Sequence, residues 1–210
     1  MFVGAWFCFN CAALKHVDLC EQNVIESVKT NILGLDNILN ACSLNHVQKI
    51  VHVSTDKAVE PSSVMGATKL IGERLCLSYK NLNVAIVRFG NVYGSRGSLV
   101  PIINRCLDNG KEILLTDIRM KRYFIQLKDA ASIICEAMKN MNGGEIFIPK
   151  MQEHKVIDII YDLITKRGFK LNEVNIREVG ARKGEKLTEK LMTESEAENA
   201  KELKGVYMIK

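Results

Sequence analysis

The sequence predicts an α/β fold, a parallel sheet wrapped by helices, and three observations carry that expectation. Short β-branched apolar runs, "KIVHVS" from Lys49 and "NVAIVRF" from Asn83, read as strands buried on both faces. Between them lie segments whose apolar residues recur three and four apart, the period of a helix with one buried face. The connections are short, and strands alternating with helices in this way form a parallel sheet.

The elements follow in order. The opening run "MFVGAWFCFNCAAL" has no preceding positive residue and is too short to cross a bilayer, so it is expected as a buried strand rather than a signal peptide. Ile25, Val28, Ile32, Leu35, Leu39 and Cys42 then mark one amphipathic helix. "GATKLIGERLCLSYK" is helical. Beyond "GNVYGSRGS" the pattern predicts a helix from Val100 to Asn109, a strand at "EILLT" and an extended "KRYFIQ". Helices from Leu127 to Met141, Val156 to Arg167 and Glu194 to Leu203 are expected, with strands at "EIFIP" and "NIREV". There is no internal repeat and no low-complexity segment.

Composition narrows the function classes. The chain has 210 residues, 47% hydrophobic and 25% charged, with a net charge of +5. That charge is too mild for a nucleic-acid binder and suits an anionic small molecule. The seven cysteines sit mostly in apolar runs, as reduced core residues of a cytoplasmic protein do. Cys8 and Cys11 form a C-x-x-C, but positions three apart on a strand face opposite ways and no partner pair exists, so no metal site is expected. No run reaches membrane-spanning length.

In open α/β sheets ligands bind beyond the carboxyl ends of the strands. "NCAALKH", "STDK" and "RFGNVYGSRGS" fall at such ends. The second is the richest: Ser54, Thr55, Asp56 and Lys57 supply two hydroxyls, a carboxylate and an amine, and Lys69 follows on the next helix. For Asp56 the plain alternative is a turn-capping carboxylate, and for Lys57 and Lys69 a solvated surface amine.

"AALKHVDLCEQNVIESVKTNILG", "STDKAVEPSSVMGATK", "VRFGNVYGSRGS" and "RMKRYF" together resemble the extended short-chain dehydrogenase/reductase superfamily. Within it they resemble the nucleotide-sugar 4,6-dehydratases of polysaccharide biosynthesis, the capsular group acting on UDP-N-acetylglucosamine. The resemblance implies a Rossmann-like doubly wound parallel sheet with a small α+β C-terminal substrate lobe. It divides the chain at 1–92 and 93–210, with about 123–148 returning to the sheet. It also implies NAD or NADP as cofactor, a UDP-sugar as partner and a homo-oligomer in the intact family member. The implied lyase chemistry is oxidation at C4, loss of water across C5 and C6, and hydride return to C6.

Residue by residue, the resemblance places Asp56 as acid and Lys57 as base, with Thr55 beside them. Met65 stands where most of the superfamily has a tyrosine, and a thioether has no titratable proton. That disfavours a 4-epimerase, the rival enzyme reading, and is compatible with the dehydratases that carry methionine there. A non-catalytic nucleotide-sugar-binding fragment is the other alternative. Ser54 and Lys69 are implied at the cofactor, Lys69 on the nicotinamide ribose, with Ala12, Ala13 and Asn31. Lys15 and His16 are implied at the sugar, where His16 is equally a helix-entrance cap. Asn91, Arg96, Arg119 and Arg122 are candidates for the nucleotide diphosphate and uracil, arginine's fork suiting phosphate oxygens, and Arg182 is implied at the nucleotide or an interface. Glu185 and Lys186 lie in the same C-terminal segment as Arg182.

No G-x-G-x-x-G pyrophosphate turn occurs in the 210 residues. The sequence therefore reads as a family member without its N-terminal half, two βαβ units of roughly 30 residues each. Weak NAD(P) affinity and an exposed apolar edge at "AWFCFN" are the expected consequences.

Overall fold

A computed structural model describes residues 4–182 and 184–210. Its first elements are β1 (Phe7–Asn10), α1 (Val17–Gln22), α2 (Val24–Val28), a π turn (Lys29–Leu33) and α3 (Gly34–Leu44). β2 (Lys49–Thr55), a 3-10 turn (Asp56–Ala58), α4 (Val64–Ser78), β3 (Val84–Phe89), β4 (Asn91–Tyr93) and α5 (Leu99–Asp108) follow. Then come β5 (Ile113–Leu115), β6 (Lys121–Gln126), α6 (Leu127–Asn140), β7 (Ile146–Pro149), β8 (Gln152–Lys155) and α7 (Val156–Lys166). The chain closes with β9 (Ile176–Glu178), α8 (Glu194–Asn199), β10 (Lys201–Leu203) and β11 (Val206–Ile209).

These elements fall into two units, one of Met1–Phe89, Ala131–Lys150 and Lys190–Lys210, the other of Gly90–Ala130 and Met151–Glu189. The first unit holds a sheet ordered β1-β2-β3-β7-β11-β10. β1, β2, β3 and β7 are parallel, β11 adds antiparallel to β7, and β10 pairs antiparallel with β11. Leu35, Leu39 and Cys42 of α3 pack on Ile50, Ile86 and Ile148 of the sheet. Each such buried side chain contributes about 1.5–3 kcal/mol. β1 forms one sheet edge, with Trp6, Phe7 and Phe9 exposed. The second unit has a β4-β6-β8 sheet and a β5-β9 pair, and α5 and α7 close its own apolar core around Ile103, Ile113 and Ile160.

Two expectations are corrected. The helix expected through Ile25 to Cys42 is interrupted by the π turn, whose wider turn shifts the phase of the stripe. Ile25 is consequently 66% exposed, and Ser27 and Asn31 are buried in line with Leu35 and Leu39. The terminal helix stops at Asn199 rather than Leu203. Lys204 and Gly205, with Gly205 at φ 77°, make a two-residue turn that folds β10 against β11.

β3 carries the largest buried charge of the first unit. Arg88 donates to both carboxylate oxygens of Glu73 on α4, at 3.1 and 2.7 Å, and to both of Glu196 on α8, at 2.9 and 3.0 Å. It also reaches the Leu191 carbonyl at 3.0 Å. Removing one partner from a buried ion pair strands the other charge in low dielectric. Glu73→Ala should therefore cost about 3 kcal/mol of unfolding free energy in denaturant titration. Glu196→Ala should cost less, because the Glu196 side chain is 20% exposed and water can replace it.

Candidate active site

The site begins with a match of spacings between β2 and α4. His52 and Ser54 lie two apart on the strand and so share a face, about 6.6 Å apart along it. Lys69 and Glu73 lie four apart on the helix, about 6 Å apart. The two pairs meet: Lys69 Nζ is 3.1 Å from His52 Nε2, and Ser54 Oγ donates to Glu73 Oε1 at 2.5 Å. Lys69 Nζ also donates to the Val53 carbonyl at 2.5 Å. On the other side of His52, Asn10 Nδ2 lies 3.1 Å from Nδ1, the register pairing of β1 with β2 placing the two side by side.

Burial fixes the electrostatics here. Lys69 is 6% exposed, so it is not the surface lysine its place on a helix allows. Burial lowers its amine from 10.5 to about 8, although the thiol of Cys76, the carboxylate of Glu73 and the thiol of Cys11 pull the other way. Burial, and then the neighbouring Lys69, pushes His52 well below its usual range. Burial also raises the Cys11 thiol, and lifts Cys76 to about 12.

β2 ends in the 3-10 turn that carries the acid and base candidates. Thr55 caps this turn, its Oγ1 accepting from the Lys57 amide at 3.4 Å. The same hydroxyl donates to Asp56 Oδ1 at 2.9 Å, and Lys57 Nζ donates to that oxygen at 3.0 Å. Asp56 is fully buried, and its Oδ2 has no hydrogen-bond partner among the described residues. Thr55 and Lys57 remain partly exposed.

The start of α4 is pressed against this turn. Ser63 Oγ accepts the Gly66 amide at 3.1 Å and Glu21 Oε1 accepts the Val64 amide at 2.6 Å, which caps the helix end. A Cβ at Gly66 would sit 2.3 Å from the Lys57 carbonyl oxygen and 3.1 Å from Pro61 Cβ. Only a residue without a side chain lets the Met65 turn of α4 approach the Asp56–Lys57 backbone so closely. Met65 itself is buried.

Asn31, buried in the π turn, ties the first strand-end loop to α4. Its Oδ1 accepts the Leu14 amide at 2.7 Å, and its Nδ2 donates to the Leu14 carbonyl at 3.0 Å and to Thr68 Oγ1 at 3.0 Å. Those bonds occupy its amide, so Asn31 holds the Ala12–His16 segment in place. Ala12 and Lys15 are exposed there; Ala13 and His16 are half-buried. His16 occupies the N-cap position of α1 without a side-chain capping bond. Ser54, expected at the cofactor, spends its hydroxyl on Glu73 deeper in the unit.

The diphosphate candidates belong to the second unit. Arg119 is forked onto Asp117 at 3.0 and 2.7 Å, which holds that carboxyl at about 2. Arg122 is buried and donates to the carbonyls of Lys121 at 2.7 Å and Leu187 at 3.1 Å, with Glu185 3.6 Å away. It pins the segment around Leu187 to β6. Arg96 is exposed in the loop between β4 and α5, Arg182 is exposed with its amide bonded to Glu185, and Asn91 is half-buried. His52, Asn10, Glu73 and Gly66 were not singled out as site residues. A polar residue amid the apolar "KIVHVS" is the signal that identifies His52.

Two outcomes follow from this geometry. Gly66→Ala should push the 56–58 turn away from α4 and lower thermal stability, with the 2.3 Å overlap too severe for side-chain adjustment to absorb; a melting temperature equal to wild type would contradict it. For Lys69, the folded pKa lies below the unfolded one, so between about 8 and 10.5 the unfolded chain binds more protons. Its destabilising contribution is therefore fully present below that window and fades as pH rises through it. Unfolding free energies of wild type and Lys69→Met should differ by an amount that shifts in favour of wild type from pH 7.5 to 10.5, on the order of the window set by the two pKa values.

The chain matches the family described as "Polysaccharide biosynthesis protein" over residues 3–210. It is 41% identical to the "Uncharacterized membrane protein MJ1061" of Methanocaldococcus jannaschii, over 96% of this chain and 63% of that one. It is 37% identical to the "UDP-N-acetylglucosamine 4,6-dehydratase (inverting)" of Campylobacter jejuni, over 97% and 61%. A Rickettsia bellii protein named "UDP-glucose 4-epimerase" is 34% identical over 98% and 61%. The crystal structure of Pen from Bacillus thuringiensis superposes with a TM-score of 0.94 at 37% identity, over 99% of this chain and 67% of that one. The chain thus spans somewhat over three-fifths of the length of these curated relatives. Among the described residues, no helix is long and apolar enough to cross a membrane. A match running through nearly every residue, joined to this superposition, makes the chain a member of the polysaccharide biosynthesis protein family.

Proposed function

We propose that the chain carries the catalytic loop of an NAD(P)-dependent nucleotide-sugar 4,6-dehydratase acting on a UDP-linked amino sugar. The observation that carries this reading is Asp56 Oδ1 shared between Thr55 Oγ1 at 2.9 Å and Lys57 Nζ at 3.0 Å, with Oδ2 buried and bare.

That sharing answers how such a reaction proceeds with methionine at position 65. Oxidation of the C4 hydroxyl releases a proton, and elimination at C6 consumes one. Thr55, half-exposed and already bonded to Asp56, hydrogen-bonds the C4 hydroxyl and passes its proton to the carboxylate. Asp56 then gives that proton to the departing 6-hydroxyl, which leaves as water. Lys57 takes the C5 proton and later returns it to C5. The proton released at C4 is therefore the one that leaves in the water, and no phenol is needed to hold it.

The residues present suit the nicotinamide-ribose end of the cofactor. Lys69 is a buried amine bonded at the carboxyl half of β2, and Ala12 and Ala13 follow the end of β1. NAD(P)+, when bound, supplies reversible hydride storage between C4 and C6. The second reading is a 4-epimerase, favoured by the Rickettsia relative; in the members that rely on a tyrosine base, Met65 is the obstacle.

Product analysis separates the two. With UDP-N-acetylglucosamine and NAD(P)+, a dehydratase yields a 4-keto-6-deoxy sugar, whereas an epimerase keeps the 6-hydroxyl. Asp56→Asn and Lys57→Ala should each lower turnover by about 10²–10⁴-fold while UDP-sugar affinity changes little. Full turnover in either variant overturns the assignment, as does a wild type that gains activity only on Met65→Tyr.

A further inference from the structure

The polar string Ala12–Asn10–His52–Lys69 has a direction, and it can be read from one end. The Ala12 amide, which can only donate, points at Asn10 Oδ1 at 3.2 Å. That fixes the oxygen of the Asn10 amide and turns its Nδ2, also only a donor, onto His52 Nδ1 at 3.1 Å. Nδ1 must then offer its lone pair, so the single proton of a neutral imidazole sits on Nε2. Nε2–H faces Lys69 Nζ at 3.1 Å, and only an amine with a lone pair can receive it. Lys69 Nζ completes the string by donating to the Val53 carbonyl.

The opposite direction fails at its far end. An ammonium at Lys69 would claim the Nε2 lone pair and move the imidazole proton to Nδ1. Asn10 would have to present its oxygen to His52, which turns its NH2 onto the Ala12 amide, donor against donor. An ammonium is therefore accommodated only if the Ala12 bond breaks.

We propose that Asn10 and His52 are positioning residues that weaken the hold of Lys69 on its proton and couple its protonation to the Ala12–His16 segment. The groups facing Lys69 are consistent with this. They are His52 from β2, Cys11 from the loop after β1, and Glu73 and Cys76 from its own helix. The two thiols are raised by burial and so stay uncharged, and Glu73 is committed to Arg88 and Ser54. The meaning of the device for catalysis rests on Lys69 lying at the nicotinamide ribose. In its free-amine form Lys69 adds no positive charge beside an oxidised nicotinamide ring.

The test needs no turnover, so it fails or succeeds independently of the dehydratase reading. The chain is prepared with 15N-labelled histidine and 13C-labelled lysine, and the His52 and Lys69 signals are assigned by their loss in His52→Phe and Lys69→Arg. In wild type His52 should show the Nε2–H tautomer, and the Lys69 signal should titrate well below those of the surface lysines. Asn10→Asp, nearly the same shape, places a carboxylate acceptor against Nδ1. It should move the imidazole proton to Nδ1 and raise the Lys69 midpoint by about one pH unit or more. A packing role alone would not move the tautomer. An Nδ1–H tautomer in wild type overturns the proposal whether or not the variant folds, as does Lys69 titrating with the bulk lysines. A folded Asn10→Asp chain with the wild-type tautomer overturns it too.

Discussion

The site depends on one geometric coincidence between a strand and a helix. Two residues of extended chain span about 6.6 Å and one helical turn about 6 Å, so polar side chains at i, i+2 on β2 can each meet one at i, i+4 on α4. His52 meets Lys69, and Ser54 meets Glu73. These two contacts set the rotation and height of α4 against the sheet. Once they are set, Met65 and Gly66 must fall one turn earlier, beside the turn that ends β2. The absent side chain at Gly66 then lets the helix backbone close on the Lys57 carbonyl. Leu35 and Leu39 join the apolar core, but apolar contacts are not directional and would not choose this register.

The same arrangement accounts for the π turn. Helices α2 and α3 have to bury Leu35, Leu39 and Cys42 against the sheet and also present Asn31 to both Leu14 and Thr68. A single uninterrupted α-helix following the apolar stripe would have turned Ile25 inward instead. The wider turn exposes Ile25, and in exchange Ser27 and Asn31 are buried, Asn31 against Thr68 of α4. The asparagine then fixes the loop carrying Ala12 to His16 by bonds to backbone alone. Local irregularity is what allows one helical stretch to serve a core and a polar site together.

How much of this was legible in the sequence follows from which interactions are local. β2 and β3 are marked by short, mostly β-branched runs, and α4 by the helical segment between them. The Thr55–Asp56–Lys57 turn is marked by its place after a buried strand. Periodicity cannot report an inserted residue inside a helix, so the π turn and the exposure of Ile25 were hidden. It also misses a strand of only three exposed residues such as β10, although "LKGVYMI" holds a Lys-Gly turn before a β-branched, aromatic run. The fates of Ser54 and Arg122 depend on partners 19 and 65 residues away, Glu73 and Leu187. No local pattern contains them.

Lys69 and Glu73 stand at i and i+4 on one helix, the spacing at which a lysine and a glutamate pair. Had they done so, the carboxylate would hold the amine as an ammonium and the string from Asn10 through His52 would have no acceptor to run to. Arg88 prevents this. Its guanidinium takes both oxygens of Glu73, and Ser54 adds a third bond to one of them. A guanidinium is charged at every accessible pH and matches a carboxylate with two parallel bonds, so it outcompetes a single amine for that partner. Glu73 still raises Lys69 at a distance, yet burial outweighs it and the amine stays at about 8. The buried ion pair on β3 thus keeps a structural carboxylate from pairing with an amine one helical turn away, whose protonation burial disfavours.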